Sequence, residues 1–157
     1  MSQKFNLFVG KAGQLHVMSE FLMRGWNVAM PEVDTGDDIF VVEDENDTFY
    51  RVQVKTAQAI PRKNGVSVQF SIPLKQLKEA DKNIYFVFAI RRNNNWGNLI
   101  LISQNRLYEF YKDNNIGSAV KDNLILYFSY QSDKIMCSKN DITPYLNNFT
   151  DFPVIEH

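Results

Sequence analysis

At 157 residues, with 45% hydrophobic and 22% charged side chains, the chain has material for one substantial core and is not an intrinsically disordered polymer. A formal net charge of −1 excludes a protein that holds nucleic acid by bulk charge alone, so any such contact needs a local basic patch. The lone cysteine, Cys137, excludes an internal disulfide or a cysteine-built zinc site and reads as a buried, quiet thiol.

Along the chain, Lys4 to Val9 fits either a strand or an early helical turn. From Gly13 to Arg24 the residues Leu15, Met18, Phe21 and Leu22 recur at helical spacing, and Gly25 stands where the helix should stop. A short strand, Trp26 to Met30, follows and ends at Pro31. Asp38 to Glu43 and Thr48 to Thr56 read as strands, joined into a hairpin by the turn-forming Asp44-Glu45-Asn46-Asp47. Val66 to Ile72 alternates as a strand, and Pro73 opens a helical turn or two over Leu74 to Glu79. Ile84 to Arg91 and Asn98 to Ile102 make a second hairpin around Asn93-Asn94-Asn95. Gln104 to Lys112 is a short helix and Asn123 to Tyr130 a further strand, after which the tail from Asp141 takes a helical turn and then wanders. No repeat, linker or low-complexity tract divides these elements, so residues 1–157 are expected to form a single α/β domain. No apolar run approaches the ~20 residues of a bilayer span, and no signal-peptide order opens the chain. The expected location is the cytoplasm, without membrane contact.

The first hairpin concentrates the chemistry. With a four-residue loop and symmetric strands, paired positions sum to 91, which sets Asp38 opposite Gln53. Strand alternation puts Gln53 and Lys55 on one face, while Ile39, Val41, Val52 and Val54 form the other. A carboxylate, an amide and an ammonium are thus expected at one end of the hairpin. A lysine in so apolar a strand needs a reason, since an unpaired buried ammonium is costly. An Asp38–Lys55 ion pair, or a Lys55 that snorkels from the sheet edge, is the purely structural explanation.

The order of segments suggests more. Gly10-Lys11-Ala12-Gly13-Gln14, the amphipathic helix, Gly25-Trp26-Asn27-Val28, Pro31, Gly36-Asp37-Asp38-Ile39 and Arg51-Val52-Gln53-Val54-Lys55-Thr56-Ala57 together resemble the active-site half of the PD-(D/E)xK nuclease superfamily. The likeness is to archaeal Holliday-junction resolvases, to the homing-endonuclease branch with a Q-x-K motif and to small bacterial members, and it covers about the first 60 residues. It implies a restriction-endonuclease-like mixed sheet with antiparallel hairpins, flanked by the N-terminal helix and later short helices. It further implies a DNA endonuclease using Mg²⁺ or Mn²⁺. Asp38 would be the metal carboxylate, Gln53 would fill the second acidic slot, and the Val54 carbonyl would complete the coordination. Lys55 would orient or deprotonate water, or neutralise the transition state.

Gln14 falls where the first-helix glutamate of that superfamily sits. With glutamine at both 14 and 53, one carboxylate remains, which implies weak metal binding. Asp34 and Asp37 are the nearer carboxylates, whereas Glu20 is off the face. The resulting alternative is a weak or inactive nuclease-fold module that binds nucleic acid or a protein partner. Lys11, Arg62 and Lys63 are candidates for DNA phosphate contact, although such charges also serve as solvated turns. A homodimer is the simplest assembly for cutting two strands.

Overall fold

In the computed structural model, which describes residues 2–33, 36–78, 83–113 and 116–157, the first helix is longer than its apolar spacing predicts. Helix α1 spans Gln3–Met23 and is capped by Ser2, whose hydroxyl accepts the Phe5 N–H. Lys4 to Val9 is therefore helical. The inward row is Val9, Gly13, Val17 and Phe21, so of the expected apolar face only Phe21 is fully buried, while Leu15 and Leu22 point outward. Gly25, at φ +86°, ends the helix in the left-handed region that glycine adopts without strain.

The strands form two sheets. In the first, β1 (Asn27–Ala29), β2 (Ile39–Glu43) and β3 (Thr48–Gln58) run antiparallel to one another. β6 (Ile84–Arg92) then lies parallel to β3, and both β7 (Asn95–Trp96) and β8 (Ile100–Ser103) pair with β6. The chain crosses from β3 to β6 through β4 (Ile60–Arg62), β5 (Gly65–Pro73) and helix α2 (Leu74–Lys78). β4 and β5 belong to the second sheet, with β9 (Ser118–Val120), β10 (Asn123–Gln131), β11 (Lys134–Cys137) and β12 (Asn140–Asp141). Helix α3 (Gln104–Asp113) joins β8 to β9, and a 3₁₀ turn, Thr143–Tyr145, follows β12. The expected helical end at Glu79 lies outside the described residues.

The first sheet is thus mixed, as expected, with antiparallel hairpins on either side of a parallel central pairing. β6 sits between β3 and β8 with Ile84 through Ile90 all buried, the doubly covered environment in which parallel strands occur. Its far end turns at Asn93 and Asn94, both at positive φ, into β7.

One core lies between the first sheet and α1, the other between the two sheets, where Phe70, Phe88 and Phe128 meet edge to face. The tail does not wander. Phe152 is wholly buried among Phe21, Trp26, Tyr50 and Tyr85. The Trp26 indole N–H donates to the Pro153 carbonyl at 2.8 Å, and the Ile155 N–H donates to Arg24 at 2.8 Å. Cys137 is buried between strands, which pushes its thiol pKa up to about 12. Among the described residues no helix is long and apolar enough to cross a membrane.

Candidate active site

β3 is the strand on which the site is built. Its pairing with β2 runs from Glu43–Thr48 to Ile39–Val52, the register in which partners sum to 91. On its other edge β6 covers Arg51 to Gln58. Past Val52 the β2-side edge of β3 therefore has no strand partner, and Asp38 fills that gap. Its N–H donates to the Val52 carbonyl at 3.1 Å, and its Oδ2 accepts the Val54 N–H at 2.7 Å. The carboxylate replaces one ladder bond with a charge-assisted one. Because a strand residue directs its N–H and C=O to the same edge, the Val54 carbonyl also points to this open side.

The two faces of β3 are chemically different. Val52 packs into the core under α1, and Ala57 packs against the core between the sheets, so Gln53 and Lys55 share the inter-sheet face by alternation. Gln53 is only 2% exposed, and its Oε1 has no hydrogen-bond partner among the described residues. Lys55 Nζ donates to Gln76 Oε1 at 3.4 Å. Gln76 comes from α2, which Gln104 fastens in place by donating Nε2 to the Gln76 and Leu77 carbonyls. Sequence reasoning misses Gln76, because nothing local to Leu74–Lys78 says that the crossover returns over the end of β3.

On the other side, Gly13 brings α1 to the strand. A Cβ there would collide with the Thr56 side chain, so only glycine permits the approach. Gln14 then reaches over the gap and donates Nε2 to the Asp38 backbone carbonyl at 2.6 Å. Lys11 Nζ donates to Gln14 Oε1 at 2.9 Å and lies 3.0 Å from the Met30 sulfur. These residues border an open cleft of about 260 Å³, completed by Pro31, Glu32, Asp37 and Asp38. Asp37 also pairs with the Arg51 guanidinium at 3.7 Å.

The structure thus brings Lys11, Gln14 and Asp38 to one cleft, joins Asp38 to the β3 backbone at Val54, and sets Gln53 and Lys55 on the buried inter-sheet face of the same strand end. Arg62 and Lys63 are exposed on the β4–β5 hairpin of the second sheet, where Arg62 Nε donates to Ser67 Oγ at 2.7 Å. Asp34 lies outside the described residues. Glu20 borders a different hollow with His16 and Trp96. There the His16 ring stacks on Trp96 at 5.2 Å, and burial lowers its pKa, a shift that Glu20 partly opposes. Among the described residues no three His, Cys, Asp or Glu side chains cluster as metal ligands. The oxygen donors at hand are one Asp38 carboxylate, the Gln53 amide oxygen and the Val54 carbonyl, with Glu32 and Asp37 along the cleft. Glu32 has no signal in the sequence beyond its nearness to Pro31.

No family model matches the sequence, and no curated protein matches it. Solved structures do match in fold. The bacterial homing endonuclease I-Ssp6803I is similar with a TM-score of 0.62 at 14% identity, over 95% of this chain and 89% of that one. Hjc of Archaeoglobus fulgidus, a Holliday junction resolvase from an archaeal hyperthermophile, is similar with a TM-score of 0.43 at 11% identity, over 74% of this chain and 81% of that one. The first of these fixes the fold. The chain shares the overall fold of that homing endonuclease.

Proposed function

We propose that this chain is a metal-dependent DNA endonuclease that hydrolyses phosphodiester bonds, with Asp38, Gln53 and Lys55 as its active centre and Gln14 as a positioning residue. One observation carries the reading. In a nuclease fold, on the strand end whose Val54 N–H the Asp38 carboxylate accepts, the Gln53 amide oxygen is buried without a hydrogen-bond partner among the described residues. Leaving such a group unsatisfied costs about 1–3 kcal/mol, and a bound cation or water would offset that cost.

The residues present fit a hard divalent ion, since every candidate donor is oxygen. Asp38, Gln53 and the Val54 carbonyl would hold Mg²⁺ or Mn²⁺, weakly, because one carboxylate supplies the formal charge. When bound, the metal supplies a Lewis acid that stabilises charge on a phosphoryl oxygen and makes water more acidic. The remaining work belongs to the chain. Lys55 directs an ammonium at the charge that builds on phosphorus-bound oxygen, with Gln76 steadying its Nζ. Gln14 pins the Asp38 backbone, so the carboxylate keeps its place against Val54. Lys11, Arg62 and Lys63 contact DNA phosphates.

A second reading, a nuclease-fold module that binds nucleic acid or a protein partner without cutting, is favoured by the lack of a three-ligand cluster among the described residues. Incubation of plasmid and branched DNA with Mg²⁺ or Mn²⁺ separates the two. Wild type should cleave, and Asp38→Ala and Lys55→Ala should each lose at least ~10²-fold in rate. Equal cleavage by all three removes the catalytic assignment. DNA binding without cleavage by wild type supports the second reading.

A further inference from the structure

We propose that the outer face of α1 is a dimer seam, on which a second copy of this chain lays its own α1 antiparallel. Phe5, Phe8, Ala12, Leu15, Ser19 and Leu22 follow one another at spacings of three, four, three, four and three, and all six are exposed. The inward row of α1 at Val9, Gly13, Val17 and Phe21 is the buried face that seats the helix on the sheet, helped by the Gln14 and His16 contacts; of the outer row, Phe5 meets the sheet, under the Arg91 guanidinium at 5.8 Å. A scattered exposed leucine needs no explanation. An unbroken uncharged stripe with the 3.5-residue period of a coiled coil, set opposite a complete buried row, does.

Self-complementarity identifies the occupant. When two such helices align antiparallel about their midpoints, facing positions sum to 27. Phe8 then meets Ser19, Leu15 meets Ala12, and Phe5 meets Leu22, so each small residue lies across from a large one. A parallel pair would instead set Ala12 on Ala12 and Phe8 on Phe8, leaving one void and one crowded point. The antiparallel arrangement is a two-fold, isologous contact.

The area is also sufficient. Phe8 is 66% exposed, Leu15 50% and Leu22 53%, and Leu7 and Met23 flank the seam at 72% and 80%. At the ~150–200 Å² carried by large apolar side chains, covering them removes roughly 1,000–1,300 Å² from water across both copies, at the lower end of what stable interfaces bury. A lipid surface fits less well, because the only lysines on α1 are Lys4 and Lys11, whereas interfacial helices are rich in them. The seam is independent of the nuclease reading, since neither Asp38 nor Lys55 takes part.

Sedimentation equilibrium of the full chain tests it. Wild type should run at twice 18.3 kDa. Leu15→Glu should dissociate it by at least ~30-fold in Kd with an unchanged circular dichroism spectrum. Tyr127→Glu, at an exposed aromatic of the second sheet, should remain dimeric. Under mild oxidation Phe8→Cys/Ser19→Cys should form a disulfide-linked dimer, and Phe8→Cys alone should not. A wild type that stays monomeric at all concentrations overturns the proposal, as does a dimer that survives Leu15→Glu. Efficient cross-linking by Phe8→Cys alone overturns the antiparallel arrangement. A monomer that co-sediments with anionic phosphatidylserine vesicles replaces the second copy with a lipid surface.

Discussion

Replacing Gln14 by glutamate separates the structural from the catalytic work of that position. The Gln14 amide donates to the Asp38 carbonyl at 2.6 Å and accepts from Lys11 at 2.9 Å. Glutamate keeps the second contact and loses the first, turning a carboxylate oxygen toward a carbonyl oxygen. Losing the donor to a half-buried acceptor costs about 1–3 kcal/mol. The exposed pair with Lys11 returns no more than ~1 kcal/mol. In EDTA, Gln14→Glu should therefore be less stable by roughly 1–2 kcal/mol, a drop of ~2–8 °C in Tm for a chain of this size. Gln14→Ala should fall by a similar amount. With Mn²⁺ the two variants should part, because only glutamate adds a second carboxylate beside Asp38. Ion at ten times its Kd adds ~1.4 kcal/mol, enough to restore most of the loss, and DNA cleavage should rise with it. Thermal unfolding of wild type and both variants, with EDTA or a Mn²⁺ series, reads this out. A Gln14→Glu protein as stable as wild type in EDTA would refute the positioning role. An unchanged Tm across the Mn²⁺ series would refute a cation at Asp38.

Phe152→Ala empties a wholly buried site among four aromatic rings; chemical denaturation should show a loss of about 3–5 kcal/mol, and a loss below ~1 kcal/mol would mean the tail is not part of the core. Gln53→Met swaps the unpartnered amide for an apolar side chain of similar size, so stability should hold or rise slightly while cleavage is lost; a large loss of stability would mark Gln53 as structural. His16 has a pKa lowered chiefly by burial, so the folded state binds its proton less readily than the unfolded one. Its stabilising contribution is full above the unfolded value near 6.5 and is lost as pH falls through that value toward the lower folded one. Tm measured from pH 8 to 5 should fall less steeply below that point in His16→Gln than in wild type, and parallel curves would contradict this. The Cys137 thiol, raised to about 12, should react with a thiol reagent at pH 8 at least ~10³-fold more slowly in the native than in the urea-unfolded protein.

What the sequence discloses depends on how local the physics is. The β2–β3 hairpin is legible because alternation and a turn-forming tetrad lie side by side, and they give its register to the residue. β6 is legible as a strand from its apolar run, but its parallel partner is not, because the pairing closes over the whole β4–β5–α2 crossover. Strands of two to four residues, such as β4, β9 and β12, hold too few positions to express a period. α1 carries apolar side chains on two faces, so its first turns satisfy no single-face template. Phe149 and Phe152 have no spacing signal at all; they are held by an aromatic recess whose walls, Phe21, Trp26, Tyr50 and Tyr85, lie far away in sequence.

At the site, sequence places backbones better than side chains. Pairing arithmetic sets Asp38 across from Gln53, yet the ladder stops one residue earlier and the carboxylate turns to the Val54 N–H instead. Gln14 makes its contact with a backbone carbonyl, which no residue pattern encodes. The two glutamines in the core then differ in a way that matters. Gln104, 1% exposed, also leaves its oxygen unpartnered among the described residues, but its nitrogen binds two carbonyls and anchors α2. The Gln53 oxygen does no comparable work for the fold, and it lies in a strand whose neighbours are valines. A local rule broken without evident structural return is what a functional position looks like. On the proposed reading, a phosphate with its counter-ion, held between the Asp38 end of the strand and Lys55, is the chemistry that would offset the burial.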